Sequence, residues 1–295
     1  MRILMAVDGS LHSRRARPLL LRACGGRSHR VTVFNATPPV EEGPDGEAPI
    51  TEALKRSAEG MTEAFARDLA MDKKLNVGTT VVEASDPASA VLDQAEREGS
   101  RLIVTGARGL TKFKALLLGS VSQKVSRLFQ GAVMISRSWA FKKEFRVLVC
   151  VDGSYGSRRA LDFLPAMGLG RDARVTLIHT AEVPMPLVWG HEPGFIAGGY
   201  AAIMAAQARS RRALRERGKR ILSDAAKRLS GFRRRPRTLL REGRPVEQVL
   251  KAAESTGADL VVLGRRGLSK AERFLMGSVS QKVSTYAPCS VLIVK

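Results

Sequence analysis

The chain repeats itself, and this repeat constrains its fold more than any other feature of the sequence. Residues 2–10 read RILMAVDGS, and 144 positions later residues 146–154 read RVLVCVDGS. Matching segments follow both stretches in the same order. Such a long-range repeat predicts that one domain has been duplicated as a whole. We therefore expect two domains, at residues 1–138 and 145–295.

Each copy carries the same glycine-rich stretch near its end. Residues 106–126 read GARGLTKFKALLLGSVSQKVS, and residues 264–284 read GRRGLSKAERFLMGSVSQKVS. In both copies two residues separate the first and second glycines, and nine separate the second glycine from a Gly-Ser pair. An apolar run typical of a buried strand precedes each stretch, and a helical pattern follows it.

The loop between that strand and that helix is a candidate anion site. Glycine lets the backbone approach a ligand closely, and a helix start offers unpaired N–H groups at the positive end of its dipole. Phosphate commonly occupies such a place. The alternative is a tight turn that uses glycine only for its φ angle. Because both copies keep all three glycines and the serine while their neighbours differ, the pattern favours the ligand.

The helix after each glycine-rich loop carries a possible start signal. Ser120 with Gln123, and Ser278 with Gln281, have the spacing of a capping box. This spacing predicts that each serine is the N-cap residue of its helix.

Strands and helices alternate within each copy, which predicts the fold class. Near-continuous apolar strands separated by helices indicate an α/β fold with a parallel sheet covered on both faces. In such folds ligands bind beyond the carboxyl ends of the strands. Asp8 and Asp152 end the first strand of each copy, and the glycine-rich loops leave the fourth strand. We therefore expect these features to lie at one edge of each sheet.

Composition narrows the class of protein. With 44% hydrophobic and 26% charged residues, the 295-residue chain is typical of a globular protein. No apolar run approaches the roughly 20 residues that span a bilayer. Three scattered cysteines, Cys24, Cys150 and Cys289, share no ligand or redox spacing. We therefore expect a cytoplasmic protein from a reducing compartment.

The net charge of +21 is concentrated in one segment. Residues 209–241 hold 14 Lys and Arg against Glu216 and Asp224. From about Tyr200 to Leu229 the pattern is that of an amphipathic helix. The first interpretation is that this helix covers the sheet and exposes its basic face to solvent. The alternative is a docking surface for an acidic protein, with Trp189 and Phe195 as apolar anchors. Nucleic acid is disfavoured because the sequence has no recognition motif.

Catalytic and metal-binding residues are not predicted. The chain lacks the P-loop motif, a nucleophile elbow and any cluster with metal-ligand spacing. His179 aligns with Asn35 at the end of the second strand, which favours a structural role.

These motifs together resemble a tandem universal stress protein. The resemblance rests on VDGS at 7–10 and 151–154, on both glycine-rich stretches and on YAPCSVLIV at 286–294, and it covers essentially the whole chain. It implies two flavodoxin-like domains, of the adenine nucleotide alpha hydrolase-like type. Each would be a five-stranded parallel sheet of order 3-2-1-4-5 with helices on both faces. It further implies that the halves pack through their fifth strands as a pseudo-dimer, and it is compatible with a homodimer.

The resemblance also implies that the chain belongs to the ATP-binding branch of the family. Asp8 and Asp152 would then hold the adenosine, and Ala36 and Thr180 would line the adenine pocket. The remaining residues carried over for ribose and phosphates are Gly106, Arg108, Gly109, Gly119, Ser120 and Val121 in the first copy, and Gly264, Arg266, Gly267, Gly277, Ser278 and Val279 in the second. For the two arginines a solvated loop charge is the alternative. A Mg²⁺ ion carried on the ATP phosphates would need few protein ligands.

Three functions follow from this sequence. The first is an ATP-binding stress or signalling protein with two sites, in which nucleotide occupancy regulates partner interactions. The second is a slow ATP hydrolase or phosphotransferase, for which no residue that activates water is evident. The third is a nucleotide-independent interaction protein that acts through the basic helix near residues 209–229.

Overall fold

Strands and helices alternate through both halves, as expected for the α/β class. The computed structural model describes residues 1–39, 48–107, 118–137, 144–169, 173–182, 196–267 and 276–295. The first half contains β1 (Arg2–Ala6), α1 (Leu11–Cys24), β2 (His29–Thr37), α2 (Ala48–Ala70), β3 (Leu75–Glu83), α3 (Pro87–Arg97), β4 (Leu102–Gly106), α4 (Ser120–Leu128) and β5 (Ala132–Ser136). The second half contains β6 (Arg146–Cys150), α5 (Tyr155–Met167), β7 (Arg174–Ala181), α6 (Ile196–Arg228), β8 (Arg237–Glu242), α7 (Pro245–Thr256), β9 (Leu260–Gly264), α8 (Ser278–Tyr286) and β10 (Ser290–Val294).

The ten strands form one continuous sheet in the order β3-β2-β1-β4-β5-β10-β9-β6-β7-β8. Within each half every strand pair is parallel. The halves meet where β5 pairs with β10 in antiparallel register, with Met134 opposite Leu292. This is the fifth-strand packing that the resemblance implies.

Two apolar layers bury the faces of this sheet. On one face α1, α2, α5 and α6 contribute buried side chains such as Leu20, Leu69, Leu164 and Leu222. On the other face α3, α4, α7 and α8 contribute Val91, Val125, Val249 and Val283. Helices thus cover both faces, which is why the strands are apolar along nearly their whole length.

The predicted capping boxes are wrong. Gly119 and Gly277 are the N-cap residues of α4 and α8, and their carbonyls accept the first helical hydrogen bonds, from the backbone N–H groups of Gln123 and Gln281. Ser120 and Ser278 are therefore the first helical residues. A capping residue has a non-helical backbone, which a residue already inside the helix does not have. In the described part of the chain no side chain caps either helix start.

Two arginines bind helix ends across the junction of the halves. Arg137, just past β5, donates from Nη2 to the carbonyls of Ser284 (2.6 Å) and Thr285 (2.8 Å) in the last turn of α8. Arg265, just past β9, donates from Nη2 to the carbonyl of Arg127 in the last turn of α4. A cation at the negative end of a helix dipole is favourable, and each contact joins one half to the other.

The first prediction concerns this junction. Replacing Arg137 with Met keeps much of the side-chain volume but removes the charge-assisted hydrogen bonds to α8. We expect the free energy of unfolding, measured in urea, to fall by about 2 kcal/mol. Arg237→Met on the exposed start of β8 is the matched control, for which we expect almost no change. Equal losses in the two variants would contradict a stabilising role for this contact.

Candidate functional site

A cavity of about 420 Å³ opens at the carboxyl ends of β6, β7 and β9 in the second half. Its volume lies within the roughly 300–1,000 Å³ that is typical of small-molecule sites. The structure brings to this cavity all eight second-half residues that the resemblance carries over. They are Asp152, Thr180, Gly264, Arg266, Gly267, Gly277, Ser278 and Val279.

Asp152 is held in place by the turn that follows β6. Its Oδ1 accepts a hydrogen bond from the backbone N–H of Ser154 at 2.9 Å. Its Oδ2 lies so close to Gly267 that a Cβ on that glycine would be 2.5 Å away. The glycine at this position therefore admits a carboxylate, and the half-buried Asp152 side chain faces the cavity with one oxygen already oriented.

Gly264 allows two stretches of backbone to pack directly. A Cβ on Gly264 would lie 2.4 Å from the carbonyl carbon of Gly156 in α5, and a Cβ on Gly156 would lie 2.3 Å from the carbonyl oxygen of Arg266. Ser154 caps α5 by accepting from the N–H of Ser157 at 3.1 Å. The close packing gives Gly264 a structural role that does not depend on a ligand.

The start of α8 forms the opposite wall of the cavity. The N–H of Gly277 donates to the carbonyl of Arg265 at 3.0 Å, and Ser280 Oγ donates to the carbonyl of Gly264 at 2.7 Å. These bonds fix the helix start against the end of β9. The N–H groups of the first helical turn have no acceptor within the helix. With the positive end of the helix dipole they make this wall suited to an anion.

Ser280 is absent from the sequence-predicted set although its signal was present. The motif GSVSQKVS is identical in the two copies, and Ser122 makes the equivalent bond to the carbonyl of Gly106. The family resemblance carries over only the Gly-Ser-Val part of this motif, so it gives no role to the second serine.

The first half repeats this geometry where it is described. Asp8 Oδ1 accepts from the N–H of Ser10 at 3.0 Å, and the N–H of Gly119 donates to the carbonyl of Ala107 at 2.8 Å. Ala36 lies at the carboxyl end of β2, and Ser120 and Val121 begin α4. The predicted residues Arg108 and Gly109 lie outside the described residues.

His179 has a structural role at the second site. Its Nδ1 lies 2.7 Å from the carbonyl oxygen of Val151, and a carbonyl can only accept, so this nitrogen carries the proton. Asn35 makes the equivalent bond in the first half, from Nδ2 to the carbonyl of Val7 at 2.7 Å. Both side chains hold the end of the second strand to the end of the first.

Helix α6 supplies a third wall that sequence reasoning missed. Leu214, Arg217 and Ile221 line the cavity. Between its second strand and the helix that starts at Pro245, the second half has 14 more residues than the first, so motif alignment alone could not place α6 against the site. The proposed anchors Trp189 and Phe195 lie outside the described residues.

The basic face of α6 is partly neutralised by the protein itself. Arg211 donates from Nε to Glu242 Oε2 at 2.7 Å, and Arg215 Nε lies 3.5 Å from Glu242 Oε1. The hydrogen bond from Arg211 lowers the pKa of the Glu242 carboxyl. The buried face carries Leu222, Ala225 and Leu229, as the amphipathic pattern predicts. This arrangement favours a helix that covers the sheet over a dedicated docking surface.

Among the described residues, no group of three or more His, Cys, Asp or Glu side chains is arranged to hold a metal ion. None of the described helices has the length and apolar character to cross a membrane. Cys24, Cys150 and Cys289 are free thiols, and burial raises the pKa of both Cys150 and Cys289 to about 12.

Comparison with known proteins identifies the family. The model of the universal stress protein family matches the chain twice, over residues 1–137 and 145–295. The chain belongs to the universal stress protein family. A Thermus aquaticus universal stress protein is 37% identical over 149 residues, which is 50% of this chain and 97% of the relative. The Bacillus subtilis universal stress protein YxiE is 28% identical over 154 residues, 51% of this chain and 98% of the relative. Each relative therefore has the length of one half.

Two solved structures match both halves of this universal stress protein together. One, from Archaeoglobus fulgidus, has a TM-score of 0.67 at 20% identity and covers 100% of this chain and 98% of its own. The other, a putative universal stress protein from Pseudomonas aeruginosa, has a TM-score of 0.61 at 16% identity and covers 100% of this chain and 92% of its own. At these identities the likeness supports the fold.

The second prediction tests the close approach of Gly267 to Asp152. Gly267→Ala places a Cβ against the Asp152 carboxylate and should lower the free energy of unfolding by about 1–3 kcal/mol. In an Asp152→Ala background the obstructing carboxylate is gone, so the same alanine should cost much less. Urea unfolding of the four proteins in this double-mutant cycle measures the coupling. Additive losses would show that the two residues do not meet as described.

Proposed function

We propose that this universal stress protein is a cytoplasmic signalling protein that binds one ATP in each half. The observation that carries the proposal is the second-half cavity. There the start of α8, which no described side chain caps, faces an oriented carboxylate at the end of β6 across one small-molecule-sized space. A ligand suited to both walls has an anionic group at one end and hydroxyl or N–H donors at the other.

A nucleotide of this kind has one natural direction in the cavity. Its phosphates would lie at the start of α8, where Ser278, Val279 and Gly277 form the anion-binding wall. The ribose hydroxyls would donate to Asp152, because a carboxylate only accepts. The base would extend towards Thr180 at the end of β7. Apolar side chains from both faces of the sheet, such as Ile221 and Val249, line the cavity.

Arg266 adds a positive charge at the end of the cavity where the phosphates would bind. It is half-buried and lines the cavity beside Gly267, where its charge would favour phosphate. A Mg²⁺ ion would be held mainly by the ATP phosphates, which suits a site without a cluster of carboxylates among the described residues.

Occupancy of such a site would act as a switch only through differential binding. A nucleotide shifts the protein towards whichever conformation binds it more tightly, and by no more than that difference. That difference in affinity between the two conformations is what would change the surface offered to a partner.

The third prediction tests the two nucleotide sites. The protein is purified without added ligand and denatured, and the released small molecules are identified by chromatography. We expect about two adenine nucleotides per chain, and about one after Gly119→Val or Gly277→Val, because valine blocks the approach of phosphate to the helix start. Gly78→Val, on the exposed edge strand β3 where a side chain meets open space, should leave the content unchanged.

The same experiment separates the alternative functions. Release of ATP supports a binding protein, whereas release of ADP alone favours the slow hydrolase. If no nucleotide is released, and none binds when ATP and Mg²⁺ are titrated, the proposal is wrong. The basic helix α6 would then be the next place to seek a function.

A further inference from the structure

One cation lines the second-half cavity without a counterpart in the first half. Helices α2 and α6 occupy equivalent places, because Gly9 packs against Met61 just as Gly153 packs against Ile221. Their buried faces follow the same spacing, 160 positions apart. The buried residues are Ala58, Thr62, Phe65 and Leu69 in α2, and Gly218, Leu222, Ala225 and Leu229 in α6. In this register Arg217 of α6 corresponds to Ser57 of α2.

Arg217 lies on the β7 side of the cavity. The next residue, Gly218, packs so closely on His179 that a Cβ there would be 2.7 Å from the imidazole Cδ2. This contact presses α6 against the end of β7, beside Thr180. Gly277 and Arg266 lie on the opposite side, beyond β9. Arg217 therefore enters the cavity from the side on which the base of the proposed nucleotide would lie.

Three neighbouring cations of α6, Arg211, Arg215 and Lys219, have acidic partners. Arg211 and Arg215 share Glu242, and Lys219 Nζ lies 2.8 Å from Glu216 Oε1. Arg217, by contrast, makes neither an ion pair nor a hydrogen bond within the described ranges, and it shares the cavity wall with Leu214 and Ile221. A planar guanidinium between apolar side chains is well suited to stack on a flat aromatic ring.

Resting on the proposed function, we infer that Arg217 stacks on the purine base of the nucleotide in the second site. The first site, with Ser57 at this position, lacks the contact. The two sites of one chain therefore differ in affinity, and the second fills first. This adds a base-recognition residue from α6 to a site whose other walls include the strand ends and the start of α8.

The fourth prediction tests this contact in a chain with one working site. In a Gly119→Val background, adenosine and ATP are titrated separately by calorimetry. Arg217→Ser, which installs the first-half residue, should weaken both ligands alike by about five-fold, since the stacked base is common to both. Arg212→Ser is the matched control, because it removes the same charge from an exposed position of α6 that does not line the cavity. It should leave both affinities unchanged.

The reciprocal substitution in the first half tests the inference through a gain of affinity. In a Gly277→Val background, Ser57→Arg should strengthen adenosine and ATP binding at the first site. A loss confined to ATP after Arg217→Ser would place the guanidinium at the phosphates and overturn the inference. So would equal affinities in the Arg217→Ser and Arg212→Ser proteins. If the parent with Gly119→Val binds neither ligand, the proposed function itself fails at the second site.

Discussion

The parallel pairing of the first strand of each half with the fourth is the constraint on which the site depends. In the second half β6 pairs with β9, with Val149 opposite Val262, although more than a hundred residues separate them in sequence. The pairing places Asp152 beside the backbone that leaves β9 at Gly264. Because β7 continues the sheet on one side of β6, and β9 and β10 continue it on the other, the loops diverge here and leave a crevice.

Much of this arrangement could be predicted because it is local in sequence. The strand ends, the glycine-rich loops and the start of α8 are each signalled by a few neighbouring residues, and the repeat shows every signal twice. Local signals also predict the wrong N-cap residue for α8. The spacing of Ser278 and Gln281 fits a capping box, but whether a serine is the cap or the first helical residue depends on where the preceding backbone enters the helix. That direction is set by the bond from the N–H of Gly277 to the carbonyl of Arg265.

The contribution of α6 could not be predicted in this way. Its apolar face shows that the helix covers the sheet. It does not show which part of the helix lies at the carboxyl ends of the strands. Gly218 decides this register, since only a residue without a side chain lets the helix approach His179 and Leu240 so closely. The contact is between segments that share no sequence motif. Arg217 enters the site as a consequence of that packing.

The antiparallel junction places the two proposed sites at opposite edges of the continuous sheet. Because β5 and β10 run in opposite directions, the carboxyl edge of one half faces the opposite way from that of the other. One nucleotide therefore cannot bridge both sites, and any influence of one on the other must pass through the protein.

Arg265 supplies a physical connection of this kind. Its backbone carbonyl accepts from the N–H of Gly277 at the second site, and its side chain binds the carbonyl of Arg127 in the last turn of α4. The first turn of that same helix, at Ser120, would form the phosphate wall of the proposed first site. This short helix therefore links the proposed first site, at its start, to the backbone that follows β9, at its end. Because a helix moves largely as a rigid unit, a displacement of Arg265 on binding at the proposed second site would be passed to the start of α4.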